Sequence, residues 1–321
     1  MPRTAGPRAP NIYADGPLDR ADDRRLDEAW VTERLRDPRT RFVALWRSRN
    51  LVSLGPAEAP QPASPDGLEA VWIERRHGEA ILGQAGDRVF LGLQEERAYI
   101  ALDLSHLEET EAEALVAPSN SFRDLREIGP LLPPDEASVL AYARGLLHWH
   151  QRHRFCGLCG SPTLSAQAGH IRRCTNSDCG TSHFPRNDPA VIMLIHDGGT
   201  RCVLGRQKIW PPGMHSTLAG FVETGESLED AVAREVEEEV GLRLTEIHYH
   251  SSQPWPFPSS IMLGFIARAE DAPLRVHPEE LESAAWFDRE DLLNSPEDES
   301  FRLPRKDSIA RRLIEDWLSG G

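Results

Sequence analysis

The stretch that decides the fold reads Gly220-Phe221-Val222-Glu223-Thr224-Gly225-Glu226-Ser227-Leu228-Glu229-Asp230-Ala231-Val232-Ala233-Arg234-Glu235-Val236-Glu237-Glu238-Glu239-Val240-Gly241-Leu242. Ser227 and Asp230 stand in capping-box positions and Gly241 is a stop signal, so the spacing predicts one helix over 227–240. Leu228, Val232 and Val236 give it an apolar stripe to seat on a sheet. Glu235, Glu238 and Glu239 stand at i, i+3 and i+4, so their carboxylates share one face. Like charges at those spacings oppose each other in an isolated helix, and such a face is easier to understand if it holds cations. Mg²⁺ and Mn²⁺ prefer carboxylate oxygen and are commonly shared between protein carboxylates and substrate phosphates. A solvated acidic helix face is the plain alternative.

Around this helix the chain alternates strands and turns. Segments 189–196 and 201–205 flank Asp-Gly-Gly-Thr as a hairpin. Segments 248–250, 261–267 and 284–287 read as further strands, and 307–318 as a closing amphipathic helix. Upstream, RFVALW (41–46), AVWI (70–73), RVFLGL (88–93) and AYIALDL (98–104) read as strands of a small α+β domain. Helices are expected at 107–116 and 135–153, the second capped by Asp135. Residues 56–67 form a Pro-rich loop, and 1–25, rich in Pro, Arg and Asp, read as disordered. The expected division is therefore 1–25 disordered, 26–153 α+β, 154–184 cysteine-rich, and 185–321 built on the acidic helix.

Cys156-Gly-Leu-Cys159 is followed after fourteen residues by Cys174-Thr-Asn-Ser-Asp-Cys179. Two cysteine pairs separated by a short hairpin are the layout of a zinc ribbon, in which four thiolates close a tetrahedral shell around Zn²⁺. Gly157 and Gly160 supply the freedom a knuckle needs. A closed shell leaves no open coordination position, so this zinc is structural and not catalytic. Cys202, alone on a strand, reads as a small core residue.

The whole chain of 321 residues carries 36 Lys plus Arg against 51 Asp plus Glu, a formal charge of −15. So acidic a surface disfavours a general nucleic-acid or membrane-surface binder, but not a polyanionic substrate whose charge metal ions neutralise. No apolar run approaches the roughly 20 residues of a membrane span. The first residues lack an apolar signal region and Ser-Gly-Gly at the end matches no address, so a cytoplasmic location is expected. Five cysteines, four of them clustered, also suit a reducing compartment.

The full spacing Gly-x5-Glu-x7-Arg-Glu-Val-x-Glu-Glu-x-Gly-Leu matches the Nudix box at every defined position, and the segment resembles a Nudix hydrolase. The resemblance implies an α/β fold: a Nudix α/β/α sandwich, here preceded by the four-Cys zinc ribbon and the small N-terminal domain. It implies that Glu235, Glu238 and Glu239 are metal-binding and catalytic, that the carbonyl of Ala219 is a metal contact, and that Arg234 orients a box glutamate. Glu238 or Glu239 is the expected general base.

Downstream stands Ser252-Gln253-Pro254-Trp255-Pro256-Phe257-Pro258-Ser259-Ser260. Its alternating prolines stiffen the segment and present Trp255 and Phe257, flat rings suited to nucleobase or nicotinamide faces. A structural Pro-rich turn with buried aromatics is the alternative. With the zinc ribbon upstream and the Nudix box between, this string resembles the NADH pyrophosphatase subfamily over roughly 120–318. The resemblance implies hydrolysis of NAD(H) to (reduced) nicotinamide mononucleotide and AMP by a homodimer. It implies a substrate site using residues 253–260 with Phe221, Ala310 and Arg126, and Phe184 contributed across the dimer. Glu280 falls where the subfamily places a further metal-binding acid. A second reading is removal of an NAD cap from RNA 5′ ends by the same chemistry; the run His148-Trp-His-Gln-Arg152-His-Arg154 could guide a strand, or be a solvated helix end. A third is a binding module with a dead site, which the complete box disfavours.

Overall fold

The computed structural model describes residues 10–54 and 67–320. The Pro-rich loop expected at 56–67 lies almost wholly outside the described residues. These divide into two compact units, one holding 188–254 and 260–320 with residues 10–11, the other 12–187 with Trp255–Ser259.

The first unit is a six-stranded sheet between helices. Asp188–His196 runs parallel to Ser260–Ala269, with Ala190 opposite Met262, and antiparallel to Arg201–Arg206 and Leu218–Phe221. Leu244–Trp255 and Ser283–Asp288 form the edges. The run at 191–195 is apolar throughout because both its faces are covered. Val191, Met193 and Ile195 pack with Val232, Val236 and Val240 of the helix Leu228–Val240. Ile192 and Leu194 pack with Ile309, Leu313 and Trp317 of the helix Ile309–Leu318. That is a three-layer α/β/α sandwich.

The helix Leu228–Val240 begins and ends as its sequence dictates. The Ser227 hydroxyl accepts from the Asp230 N–H at 3.1 Å, the Ser227 N–H donates to the Asp230 carboxylate at 3.1 Å, and Gly241 closes the helix in the left-handed region at φ 70°.

In the second unit a seven-stranded sheet, with Arg41–Trp46 parallel to Arg97–Asp103 at its middle, packs one face on the helix Pro134–Arg152. Asp135 does not cap this helix, which starts a residue earlier behind Pro133. Proline suits a first turn because its missing N–H would have no intrahelical partner there. The expected helix at 107–116 is shorter, Glu109–Ala114.

Residues 10–25 are not disordered. Tyr13 is buried in the core of the second unit and Asp19 pairs with Leu93. The Asn11 side chain donates to the Ser252 carbonyl at 2.7 Å and to the Ser251 hydroxyl at 3.1 Å within the first unit. A composition poor in apolar residues is held by a few long-range anchors. Among the described residues no helix is long and apolar enough to cross a membrane.

Candidate active site

Carboxylate oxygens of Glu235, Glu239 and Glu280 lie within 4.8 Å of one another. Two come from successive turns of the box helix. The third is brought by the turn after it, where the His277 N–H donates to the Glu239 carbonyl at 2.9 Å and the Glu280 N–H donates to the His277 carbonyl at 3.2 Å. Glu239 is 3% exposed, and its Oε2 is buried without a hydrogen-bond partner among the described residues. Burial, then the neighbouring charges of Glu235, Glu280 and Glu238, push its carboxyl up to about 8, and burial likewise raises Glu235. An orphaned buried carboxylate oxygen facing two more carboxylates is costly unless a cation sits among them. This donor set, all hard oxygen, fits a divalent metal ion.

Glu238 stands outside that group, half-exposed, with its Oε2 accepting from Arg234 at 3.0 Å. Arg234 also donates to Glu235 at 2.9 Å, to the Phe221 carbonyl at 3.0 Å, and to both oxygens of Glu226 at 2.6 and 3.0 Å. The guanidinium thus ties three box glutamates and the preceding strand into one frame. Glu226, held well down at about 2 chiefly by Arg234, was given no role by sequence reasoning. The signal that could have found it is its place in the Gly-x5-Glu-x7-Arg spacing. Strand Leu218–Phe221 brings Ala219 and Gly220 against the helix, so closely that a Cβ built on Gly220 would lie 1.8 Å from Cδ of Glu235.

The four cysteines converge: Cys156 and Cys179 sulfurs stand 3.8 Å apart, Cys159 and Cys174 sulfurs 3.4 Å apart, and all four lie within 4.8 Å. The left-handed turns fall at Gly160 (φ 73°) and Gly180 (φ 57°), so Gly180 takes the role expected of Gly157. The four-thiol set fits Zn²⁺. Cys202 is fully buried in the first unit's core, as its place on a strand implied.

The proline-aromatic string divides. Gln253 is fully buried and its amide is spent on the entry to the last helix, donating to the Asp307 carbonyl and accepting from the Ile309 N–H, both at 2.8 Å. Phe257 is 7% exposed and belongs to the core of the second unit. It meets Tyr13 edge-on at 5.9 Å and Trp255 at 5.1 Å, with the Arg126 and Arg144 guanidiniums each 5.0 Å from its centroid. Arg126 also donates to the Phe257 carbonyl at 3.1 Å, and Arg144 to that of the buried Pro256 at 2.9 Å. The Phe257 ring is thus enclosed by these neighbours. Gln253, Pro256 and Ala310 are buried too, Ala310 at 5% exposure, while Arg126 is exposed. Trp255, Pro254, Ser259 and Ser260 are partly exposed, Pro258 is exposed, and Phe221 and Phe184 are open to solvent at 61% and 62%.

Models of three domains match the chain: the NADH pyrophosphatase-like rudimentary NUDIX domain over 39–149, the NADH pyrophosphatase zinc ribbon over 151–184, and the NUDIX domain over 186–310. The NAD-capped RNA hydrolase NUDT12 of Macaca fascicularis is 35% identical over 341 residues, covering 96% of this chain and 73% of that protein. The chain belongs to the Nudix hydrolases, in the NADH pyrophosphatase family. The NAD-capped RNA hydrolase NudC of Mycobacterium bovis is 44% identical over 205 residues, 61% of this chain and 65% of its own. A solved NUDIX hydrolase from Nitrosomonas europaea is 23% identical, with a TM-score of 0.41 over 52% of this chain and 90% of that one. As a Nudix hydrolase the chain is a divalent-metal enzyme, and its ribbon is a structural zinc site.

Proposed function

We propose that this Nudix hydrolase cleaves the diphosphate bond of NAD(H), giving (reduced) nicotinamide mononucleotide and AMP. The observation that carries this reading is the Glu235–Glu239–Glu280 group, three carboxylates within 4.8 Å in a chain of the NADH pyrophosphatase family. Mg²⁺ or Mn²⁺ held there would neutralise the diphosphate and acidify an attacking water. Glu235, Glu239 and Glu280 hold the ion, with the Ala219 carbonyl as a further oxygen. Arg234 keeps Glu235 and Glu238 in position. Glu238, outside the ligand group and half-exposed, is the candidate to take the proton from water. Phe221, Trp255 and Phe184, with residues 258–260, are the proposed substrate contacts. One Zn²⁺ per chain folds the ribbon. We further propose that the enzyme works as a cytoplasmic homodimer, with 154–184 as the ribbon and 185–321 as the catalytic domain.

A second reading, removal of the NAD cap from RNA, is favoured by the activity that names both relatives. It uses the same chemistry with a longer adenosine side. The test is chromatographic product analysis on NADH, NAD⁺, ADP-ribose and a short NAD-capped RNA, with Mg²⁺ and with Mn²⁺ at one salt concentration. Equimolar nicotinamide mononucleotide and AMP from NADH supports the proposal; no AMP with either metal refutes it. The kcat/KM ratio between NADH and capped RNA ranks the two substrates.

A further inference from the structure

Cys156 is the most buried of the four ribbon cysteines, at 3% exposure, while Cys159 is open to solvent. A shell of four thiolates carries more negative charge than one divalent ion cancels. At Cys159 water can solvate the excess. At Cys156 it cannot, and a buried charge needs a hydrogen-bond donor from the protein. Such a donor stands beside it: Nε2 of His183 lies 3.3 Å from Sγ of Cys156. Cys179, on the same side of the ribbon, has the Thr181 hydroxyl 3.2 Å from its sulfur.

The placement of His183 is built into the ribbon sheet. It ends the short strand Ser182–His183, antiparallel to Ile171–Cys174, with His183 opposite Arg172. The Cys174 N–H donates to the Thr181 carbonyl at 2.9 Å, which holds the register from one side. Arg172 holds it from the other. Its side chain, buried with the residue at 6% exposure, donates to the Thr163 hydroxyl at 2.8 Å and the Thr163 carbonyl at 2.9 Å, and pairs with Asp87 at 3.2 Å. The ring therefore reaches the sulfur from a fixed strand. It is not itself a ligand, because the set of mutually close donor atoms, within 4.8 Å, holds the four sulfurs and not the imidazole, and four thiolates already close a tetrahedral shell. A metal-bound thiolate has no proton to give, so the proton of this bond sits on Nε2 of His183. A charge-assisted N–H donated to sulfur disperses part of its negative charge, as the outer partners of metal ligands commonly do.

We propose that His183 is a positioning residue of the zinc site: its Nε2–H holds the buried Cys156 thiolate in the shell and slows loss of the metal. A ring that only fills space beside the sulfur is the alternative, and phenylalanine would serve that purpose as well as histidine.

The test uses the full zinc-loaded chain and two variants. His183→Phe keeps a ring but removes the donor, and His183→Gln keeps an N–H at a similar reach. Zinc content is measured at the start by elemental analysis, and transfer of zinc to an excess of a chromophoric chelator is then followed in time. The Phe variant is expected to lose zinc about tenfold faster than wild type, and the Gln variant within about threefold of it, since lost outer partners of metal ligands typically cost that order of affinity. In the chain loaded with Co²⁺ instead, the thiolate-to-metal charge-transfer band is expected to move to lower energy in the Phe variant and to return in the Gln variant. A Phe variant that holds no zinc, beside a Gln variant that does, supports the proposal as well. Equal rates of zinc loss in wild type and the Phe variant overturn it. So does a Gln variant that loses zinc as fast as the Phe variant with the cobalt band alike in all three proteins, which leaves His183 a packing role only. A wild-type cobalt spectrum of three thiolates and one nitrogen overturns it too, because the ring would then be in the shell.

Discussion

Gly220 and Glu235 are in such close contact that a Cβ at position 220 would lie 1.8 Å from Cδ of the glutamate. The box opens with glycine at this point of the strand Leu218–Phe221 because the carboxylate needs the space. Gly220→Ala should displace the Glu235 head, a flexible side-chain end, without moving the backbone. The expected outcome is a melting temperature within a few degrees of wild type and a kcat lower by about 100-fold, close to 2.7 kcal/mol of barrier. Wild-type kcat in this variant would show that Glu235 need not sit where the structure puts it.

The ribbon predicts a metal-dependent stability. Cys156 is buried with its sulfur among three others, and metal bound there is folding free energy. Cys156→Ser should lose its zinc, read by elemental analysis, and melt at lower temperature. Undiminished zinc would refute the four-thiolate site.

His170 predicts an acid-side loss of stability in the second unit. Its imidazole bonds the Phe90 carbonyl at 2.8 Å and lies 3.1 Å from Arg25. Burial above all lowers it from 6.5 to about 4. Between those two values the unfolded chain binds the proton that the folded chain refuses, so this stability is present above pH 6.5 and lost as pH falls toward 4. His170→Gln keeps a donor for Phe90 without the titration. Thermal melts from pH 7 to 5 should fall more steeply for wild type than for the variant; parallel curves would contradict the assignment.

Phe257 predicts a stability effect. Buried against Tyr13 and Trp255, it should cost about 3–5 kcal/mol on truncation to alanine, on the order of 10 °C in melting temperature. A Phe257→Ala protein with a wild-type melt and a selective loss of NADH turnover would return the ring to the substrate.

Phe257 also shows where sequence reading stops. Ser227, Asp230 and Gly241 delimit the box helix by local chemistry, and the apolar run 191–195 marks a strand covered on both faces. Each of these is read from neighbours along the chain. Two rings on a proline-stiffened loop do not say which core receives them, and Trp255–Ser259 joins residues 12–187 although the strand leading into it belongs to the other unit. Asn11 and Tyr13 are held by partners more than a hundred positions away, which composition does not reveal. Glu235 and Glu239 were legible through spacing and Glu280 only through the resemblance, while Glu238, on the same predicted face, stands outside the group; the packing of Gly220 and the grip of Arg234 on Glu226 are set by the tertiary fold.

The most direct measurement is AMP release from NADH by wild type and by Glu239→Gln, with and without added Mg²⁺. The account predicts equimolar AMP and reduced nicotinamide mononucleotide from wild type only with the metal. It predicts less than about a tenth of that kcat from the variant, whose fold is kept because the Gln amide has the shape of the buried carboxyl without its desolvation cost. AMP release by the variant at the wild-type rate, or by wild type stripped of divalent metal, would contradict it.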